Sequence, residues 1–224
     1  MFKGAIFDLD GVITDTSRLH FLAWKETLAK YNIPYDENIN NLFKGLPRHE
    51  TLLAILKLKS LPNKFSIRQI EKICEEKNDL YVKKINFIDE KNIYPRIQNF
   101  IQSLNKHNVK LALASSSQNA KTILKQLNLI SFFDYLVDPI TIKNPKPAPD
   151  IYIAATKGLH LSPNECIGIE DAIVGIEGLQ AANIFTVGID YGVKPVQLKS
   201  DISFATPSDI SLDKIIKAYE KQKK

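Results

Sequence analysis

Residues 4–16 read Gly-Ala-Ile-Phe-Asp-Leu-Asp-Gly-Val-Ile-Thr-Asp-Thr, a short apolar run followed directly by two carboxylates one residue apart. The apolar run predicts a buried strand. Because side chains alternate along a strand, Asp8 and Asp10 are expected on the same face, and Gly11 then permits a sharp turn. Such a pair can divide a phosphoryl transfer between a nucleophile, Asp8, and a general acid and base, Asp10. The alternative interpretation is a strand that ends in an acidic turn without metal.

The composition is that of an ordinary globular protein. Of the 224 residues, 44% are hydrophobic and 25% charged, which suffices for one large or two modest domains. The net charge of +5 is spread along the chain, and its one dense run, 217–224, is interpreted as a solvated helix end. We find no signal peptide and no apolar run of membrane-spanning length. The two cysteines, Cys74 and Cys166, are predicted to be buried thiols. We therefore expect a cytoplasmic monomer that binds neither nucleic acid nor a membrane.

Two kinds of hydrophobic periodicity divide the chain. Residues 17–92 show helical spacing without a strand pattern, whereas helices alternate with strands from Pro95 onward. The alternation is typical of a doubly wound parallel sheet. The predicted fold is an α/β Rossmann-like core domain, residues 1–15 and 93–224, with an inserted all-helical cap domain, residues 16–92. The two connections between them are candidate hinges for opening and closing of the cap.

Polar residues follow the predicted strands at their carboxyl ends, where open α/β sheets bind ligands. Ser115 begins a polar segment after the second strand, Lys146 lies in a proline-rich segment, and Glu170-Asp171 end a later strand. Asp8, Glu170 and Asp171 offer the hard oxygen ligands that suit Mg²⁺. We predict a magnesium site formed by Asp8, Asp10, Glu170 and Asp171.

Phosphoryl transfer requires neutralisation of charge around the transferring oxygens. Ser115 and the N–H groups after it are predicted to hold those oxygens, and Lys146 is predicted to place a positive charge near Asp8. Asp10 should have a raised pKa, because it must be protonated to donate to a leaving oxygen. Structural alternatives remain: Ser115 as a helix cap, Lys146 as a surface lysine, and Glu170-Asp171 as an ordinary acidic helix start.

Four segments carry these residues: the one with Asp8 and Asp10, and those with Ser115, Lys146 and Glu170-Asp171. Taken in chain order, they resemble the motifs of the haloacid dehalogenase superfamily. With its helical insert, the chain resembles the β-phosphoglucomutase family over nearly its full length. The matching segments are residues 1–16, 20–25, 44–48, 77–79, 146–150 and 168–171. The superfamily motifs are specific for phosphoryl transfer, and the segments in the cap distinguish a mutase.

The resemblance implies interconversion of β-D-glucose 1-phosphate and D-glucose 6-phosphate through an aspartyl-phosphate and bound β-glucose 1,6-bisphosphate. It implies Mg²⁺ as the cofactor and small hexose phosphates as the partners. The fork of Arg48 suits the second phosphate of the bisphosphate. The substrate-binding residues that the resemblance implies are Thr16, His20, Trp24, Gly45, Leu46, Arg48, Lys77, Ser117, Gln118 and Asn119. Taken alone, His20 would be a structural or surface histidine and Trp24 a core residue.

The chain departs from the family pattern at two positions. Gln118 stands where the family usually has a lysine, and Pro47 replaces a serine. Glutamine can hydrogen-bond a phosphate oxygen, but one positive charge is lost. We expect weaker binding of the distal phosphate with the reaction retained.

Three other functions are alternatives to the mutase. A sugar-phosphate phosphatase would use the same Asp8 and Asp10 with water as the attacking group, and Arg48 argues for the mutase. A non-catalytic sugar-phosphate sensor predicts loss of Asp8, Asp10 or Lys146, and all three are present. Phosphonate hydrolysis needs a Schiff-base lysine, for which Lys44 or Lys77 could serve, but the other cap segments argue against it.

Overall fold

The computed structural model describes residues 1–43, 46–192 and 198–222. The chain forms two compact units, a larger one of Met1–Asp15 with Asp89–Lys224 and a helical one of Thr16–Ile88. The sequence predicted that the larger unit resumes at residue 93, slightly later than the observed Asp89. The functions of the two units, as catalytic core and cap, stay predictions.

Six parallel strands form one sheet in the larger unit, in the order β3-β2-β1-β4-β5-β6. The strands are β1 (Gly4–Phe7), β2 (Lys110–Leu113), β3 (Tyr135–Leu136), β4 (Cys166–Glu170), β5 (Phe185–Ile189) and β6 (Ile202–Phe204). The first strand in the chain is central, since it pairs with β2 on one side and β4 on the other. The direction of winding reverses at β1, which places a ligand crevice at its carboxyl end. The predicted doubly wound parallel sheet is confirmed.

The described part of the helical unit contains helices that pack around their own apolar core. They are α1 (Ser17–Ala29), α2 (Glu37–Leu42), α3 (Arg48–Leu58) and α4 (Ile67–Ile85). The core includes Trp24, Leu52 and Ile73, each almost completely buried. The start of α4 is fixed by a capping box, in which Ser66 Oγ accepts from the Gln69 N–H and Gln69 Oε1 accepts from the Ser66 N–H at 2.8 Å.

The remaining helices belong to the larger unit. They are α5 (Ile97–Lys106), α6 (Ala120–Gln126), α7 (Asp150–Gly158), α8 (Ile173–Ala181) and α9 (Leu212–Gln222). One side of the central strands packs against α7 and α8, where Ile6 and Ala112 meet Ile151, Tyr152 and Leu179. The strand β1 is buried along its whole length, as expected of a strand inside a parallel sheet.

The two edge strands differ from the prediction. The sequence predicts a strand over 133–137, but β3 has only two residues. The Asp134 side chain explains this, because its Oδ2 accepts from the Leu111 N–H at 2.8 Å and so replaces a backbone partner. The other edge strand, β6, was not predicted, since three residues are too few to display a period of two.

Both cysteines are buried free thiols, as predicted. Burial raises the pKa of Cys74 to about 11 and that of Cys166 to about 12, so both remain protonated near neutral pH. Among the described residues, we find no helix with the length and hydropathy needed to span a bilayer.

Candidate active site

Two buried carboxylates share one buried lysine at the carboxyl ends of β1 and β4. The Nζ of Lys146 donates to Asp8 Oδ1 at 2.9 Å and to Glu170 Oε1 at 2.5 Å. Lys146 is 3% exposed and Glu170 is 1% exposed. Lys146 is therefore not a surface lysine, and its ammonium lies against the residue that we predicted to be the nucleophile.

The charges in this group perturb one another strongly. Burial raises the pKa of the Asp8 carboxyl well above its ordinary value, and the charge of Glu170 adds to this effect while Lys146 opposes it. Burial alone would lower the pKa of the Lys146 amine, but Asp8 and Glu170 outweigh it and raise that pKa well above normal. Lys146 is thus a cation at neutral pH, and one ammonium cannot by itself compensate two ionised carboxylates.

A third carboxylate completes a possible metal site. One oxygen each of Asp8, Glu170 and Asp171 lie within 4.8 Å of one another. When ionised, the three acidic groups carry more negative charge than the Lys146 ammonium can offset, and oxygen donors of this type are those that Mg²⁺ prefers. The three residues fit the predicted cation. Among the described residues, this cluster of carboxylates does not include Asp10. The functions of Asp10 as a metal ligand and as a general acid and base stay predictions.

The turn after Asp10 is fixed by Gly11. Its N–H donates to the Thr14 carbonyl at 2.9 Å, and its φ of +82° is one that residues with a Cβ avoid. A Cβ on Gly11 would lie 1.9 Å from Asp171 Oδ2. The Gly11 carbonyl accepts from the Tyr191 hydroxyl at 2.6 Å. The sharp turn predicted at Gly11 is present, and Asp171 packs directly against it.

Gly11→Ala is expected to destabilise the protein by about 2–3 kcal/mol, because backbone strain of about 1–2 kcal/mol is joined by displacement of the Asp171 carboxylate. Urea unfolding gives the measurement. Gly192→Ala is a matched control, since Gly192 has a φ of +76° with nothing within 4 Å of a Cβ. Equal losses in the two variants would contradict the proposed packing of Asp171 against Gly11.

The segment after β2 reaches the same edge of the sheet, because the Ala114 N–H donates to the Phe7 carbonyl at 2.8 Å. Ser115 is buried, and its Oγ accepts from the Ser117 N–H at 3.2 Å. Ser117 Oγ accepts in turn from the Asn119 N–H at 3.3 Å. Asn119 stands at the N-cap position of α6, but its side chain makes no capping hydrogen bond to that helix. Gln118 is exposed.

Predicted substrate-binding residues of the helical unit also come together. Lys77, 2% exposed, has its Nζ 2.6 Å from His20 Nδ1 and 5.5 Å from the centre of the Trp24 ring. The His20 ring stacks on Tyr81 with 3.9 Å between the ring centres. Because an ammonium only donates, Nδ1 of His20 accepts and the ring proton is left on Nε2. Trp24 is at the same time part of the core of this unit.

His20 is held neutral. Burial lowers the pKa of its ring well below the ordinary value, and the charges of Lys77 and Arg48 lower it further. Arg48 begins α3, and the Leu46 N–H just before it donates to the Phe43 carbonyl at 3.2 Å. Gly45 and Lys44 lie outside the described residues.

Sequence reasoning missed two tyrosines that contact these groups, Tyr81 beside His20 and Tyr152 beside Glu170. Both lie at helical positions among apolar residues, where an aromatic side chain is normally interpreted as core. For Tyr152 the available signal was the hydroxyl, since a buried tyrosine hydroxyl usually has a hydrogen-bond partner.

Comparison with known proteins agrees with this geometry. Residues 5–189 match the family described as haloacid dehalogenase-like hydrolase. The match spans most of the chain, including the loop with Asp8 and Asp10, the helical insert and the acidic pair Glu170-Asp171. The chain belongs to the haloacid dehalogenase-like hydrolase family.

Within that family, the chain is similar to phosphoglucomutases. It is 38% identical to a β-phosphoglucomutase of Bacillus subtilis, over 97% of this chain and 96% of the relative. A crystal structure of β-phosphoglucomutase from Clostridium difficile superposes with a TM-score of 0.94 at 36% identity, covering 99% of each chain. A phosphorylated carbohydrates phosphatase of Thermotoga maritima is 30% identical over 85% of each chain. These similarities confirm the predicted family and support an enzyme of the phosphotransferase type of isomerase.

Proposed function

We propose that this chain is a β-phosphoglucomutase, which interconverts β-D-glucose 1-phosphate and D-glucose 6-phosphate through β-glucose 1,6-bisphosphate. The observation that carries the proposal is the buried contact of Lys146 with both Asp8 and Glu170. It places a carboxylate beside a fixed positive charge, as attack on a phosphate requires. The choice of a mutase is supported by identity that extends through the helical unit.

Asp8 is the proposed nucleophile. Its carboxylate oxygen forms a bond to phosphorus while the bond from phosphorus to the sugar oxygen breaks, and Asp10 gives its proton to that leaving oxygen. In the return step, a hydroxyl of the hexose phosphate attacks the phosphorylated Asp8, and Asp10 takes up the hydroxyl proton. Both half-reactions therefore balance without a further co-reactant.

Asp8, Glu170 and Asp171 would hold the Mg²⁺, with Asp10 as a further proposed ligand. When bound, the ion would offset the charge of the carboxylates and of the transferring phosphoryl oxygens. Lys146 contributes the remaining positive charge from its fixed position. Ser115 and the N–H groups after it are proposed to receive the phosphoryl oxygens.

The helical unit is proposed to recognise the hexose phosphate. Arg48 would bind the phosphate remote from Asp8, since its guanidinium can form two parallel hydrogen bonds. His20 and Lys77 would bind sugar or phosphate oxygens, because one is a neutral N–H donor and the other a buried cation. Thr16, Trp24, Gly45 and Leu46 are proposed to complete this set on the cap side, and Ser117, Gln118 and Asn119 on the core side.

A sugar-phosphate phosphatase is the second candidate, favoured by the relative from Thermotoga maritima. The two functions differ in the group that attacks phosphorylated Asp8, a hexose phosphate or water. The test supplies β-glucose 1-phosphate, a trace of the bisphosphate and Mg²⁺, and measures glucose 6-phosphate and free phosphate together. Glucose 6-phosphate without matching phosphate release supports the mutase. Phosphate release without glucose 6-phosphate would replace it by the phosphatase.

Gln118→Lys tests the departure from the family pattern. The added positive charge is expected to tighten binding of the bisphosphate several-fold, because a charge-assisted hydrogen bond replaces a neutral one. Calorimetric titration with the bisphosphate measures the change. Gln126→Lys in α6 adds the same charge outside the proposed site and should leave the affinity as it was. Unchanged affinity in Gln118→Lys would show that this position does not contact the distal phosphate.

A further inference from the structure

A neutral phenol lies against the proposed metal ligand Glu170. Tyr152 of α7 is 1% exposed, and its hydroxyl donates to Glu170 Oε1 at 2.6 Å. The same oxygen accepts from Lys146. The other oxygen, Oε2, faces the Asp171 N–H at 3.2 Å and the Ala172 N–H at 3.5 Å. Hydrogen bonds to both of its oxygens therefore fix the orientation of the Glu170 carboxylate.

The Tyr152 ring has little freedom to move. A Cβ on Gly178 of α8 would lie 2.7 Å from Cε2 of the ring, so α8 passes close to the ring. The Nζ of Lys146 lies 5.2 Å from the ring centre, within the range of a cation–π contact. The Tyr152 hydroxyl is consequently held in a fixed position beside Glu170.

We propose that Tyr152 is a positioning residue that sets the orientation of Glu170 toward the cation. This inference rests on the metal site of the proposed function. Groups that hydrogen-bond a ligating carboxylate commonly control metal affinity, because they fix its rotamer before the ion arrives. Tyr152 does not touch the ion or the substrate in this proposal.

A phenol suits this task better than a second cation. With Lys146 as its only side-chain partner, Glu170 would be drawn toward the ion pair with Asp8. The Tyr152 hydroxyl adds a second hydrogen bond to the same oxygen without cancelling the negative charge that attracts Mg²⁺. A tyrosine hydroxyl is ordinarily protonated at physiological pH, so it is available as a donor to Glu170.

Tyr152→Phe isolates the hydroxyl, since it keeps the ring and its contact with Lys146. We expect Mg²⁺ to bind about 10-fold more weakly to this variant in a calorimetric titration without substrate. The Mg²⁺ concentration for half-maximal activity should rise by the same factor, with kcat at saturating Mg²⁺ nearly unchanged. A purely structural role would lower stability without moving the Mg²⁺ dependence.

Tyr219→Phe is the matched control. Tyr219 is 3% exposed, and its hydroxyl donates to the Asn164 carbonyl at 2.5 Å, outside the group around Glu170. This variant should lose stability and bind Mg²⁺ as the wild type does. Adding Tyr152→Phe to Glu170→Gln should cause no further loss of Mg²⁺ affinity, because the hydroxyl acts through Glu170.

The outcomes distinguish a failure of this inference from a failure of the proposed function on which it rests. A wild-type protein that binds no Mg²⁺ would overturn the metal site and this inference together. Mg²⁺ binding by the wild type with equal affinity in Tyr152→Phe would overturn this inference alone. An independent, additive loss in the Glu170→Gln background would likewise overturn it, because Tyr152 would then act by another route.

Discussion

Asp8→Asn is expected to lower turnover of β-glucose 1-phosphate by a factor on the order of 10⁴ or more, because an amide cannot form the phosphorylated intermediate. The fold should be retained, since asparagine has nearly the same shape and Lys146 keeps Glu170 as a partner. Two measurements check this result, the steady-state rate and the intact mass of the enzyme after incubation with the bisphosphate. Only the wild type should gain a phosphoryl group.

Asp15→Asn is the control for this experiment. Asp15 is an exposed carboxylate in the same loop, and it has no part in the proposed chemistry. Turnover and phosphorylation should both survive the change. Normal turnover in Asp8→Asn would eliminate the proposed mechanism, because no other residue in it can carry the phosphoryl group.

Lys146→Met is expected to destabilise the protein by about 3 kcal/mol in the absence of Mg²⁺. It leaves the buried Asp8 and Glu170 side by side without their shared ammonium. The loss should shrink at mildly acidic pH. The pKa of Asp8 is already raised by burial and by the charge of Glu170, so proton uptake by the folded state relieves the repulsion. Urea unfolding at two pH values measures both effects.

Saturating Mg²⁺ should also reduce this loss of stability, since the ion would bind the folded state and replace part of the missing charge. Lys3→Met provides the contrast. Lys3 forms an exposed ion pair with Glu165 at 2.7 Å, and pairs of this kind contribute little. A loss in Lys146→Met as small as that in Lys3→Met would show that the buried ion pairs do not stabilise the folded protein.

The centre of the sheet was predictable because its strands are buried on both faces. The run Val109 to Ala114 is almost wholly apolar, and such a run predicts a strand without knowledge of its neighbours. Edge strands have no such signal. The extent of β3 depends on the side chain of Asp134, and β6 is recognisable only by its pairing with β5. The periodicity of hydrophobic residues predicts which residues are buried. It says much less about which strands pair with each other.

The acidic residues of the site were predictable for a related reason. They stand directly after buried strands, and parallel strands bring their carboxyl ends to one edge. The contact of Lys146 with Glu170 could not be derived this way, because it joins a proline-rich loop to a strand. Tyr152 and Tyr81 were missed because helical spacing places them among core residues. The Tyr152 hydroxyl acquires meaning only once its partner Glu170 is located, and the Tyr81 ring only once the stacked ring of His20 is located.

The central position of β1 has a consequence for how the protein is made. Its residue Gly4 pairs with Lys110 and Cys166, so both partners are more than one hundred residues away in the chain. At translation speeds of about 5–20 residues per second, the first strand leaves the ribosome many seconds before either neighbour. The helical unit, Thr16–Ile88, is synthesised before either neighbour and can form during that interval. Asp8, the proposed nucleophile, thus acquires its neighbouring strands only after most of the chain has been made.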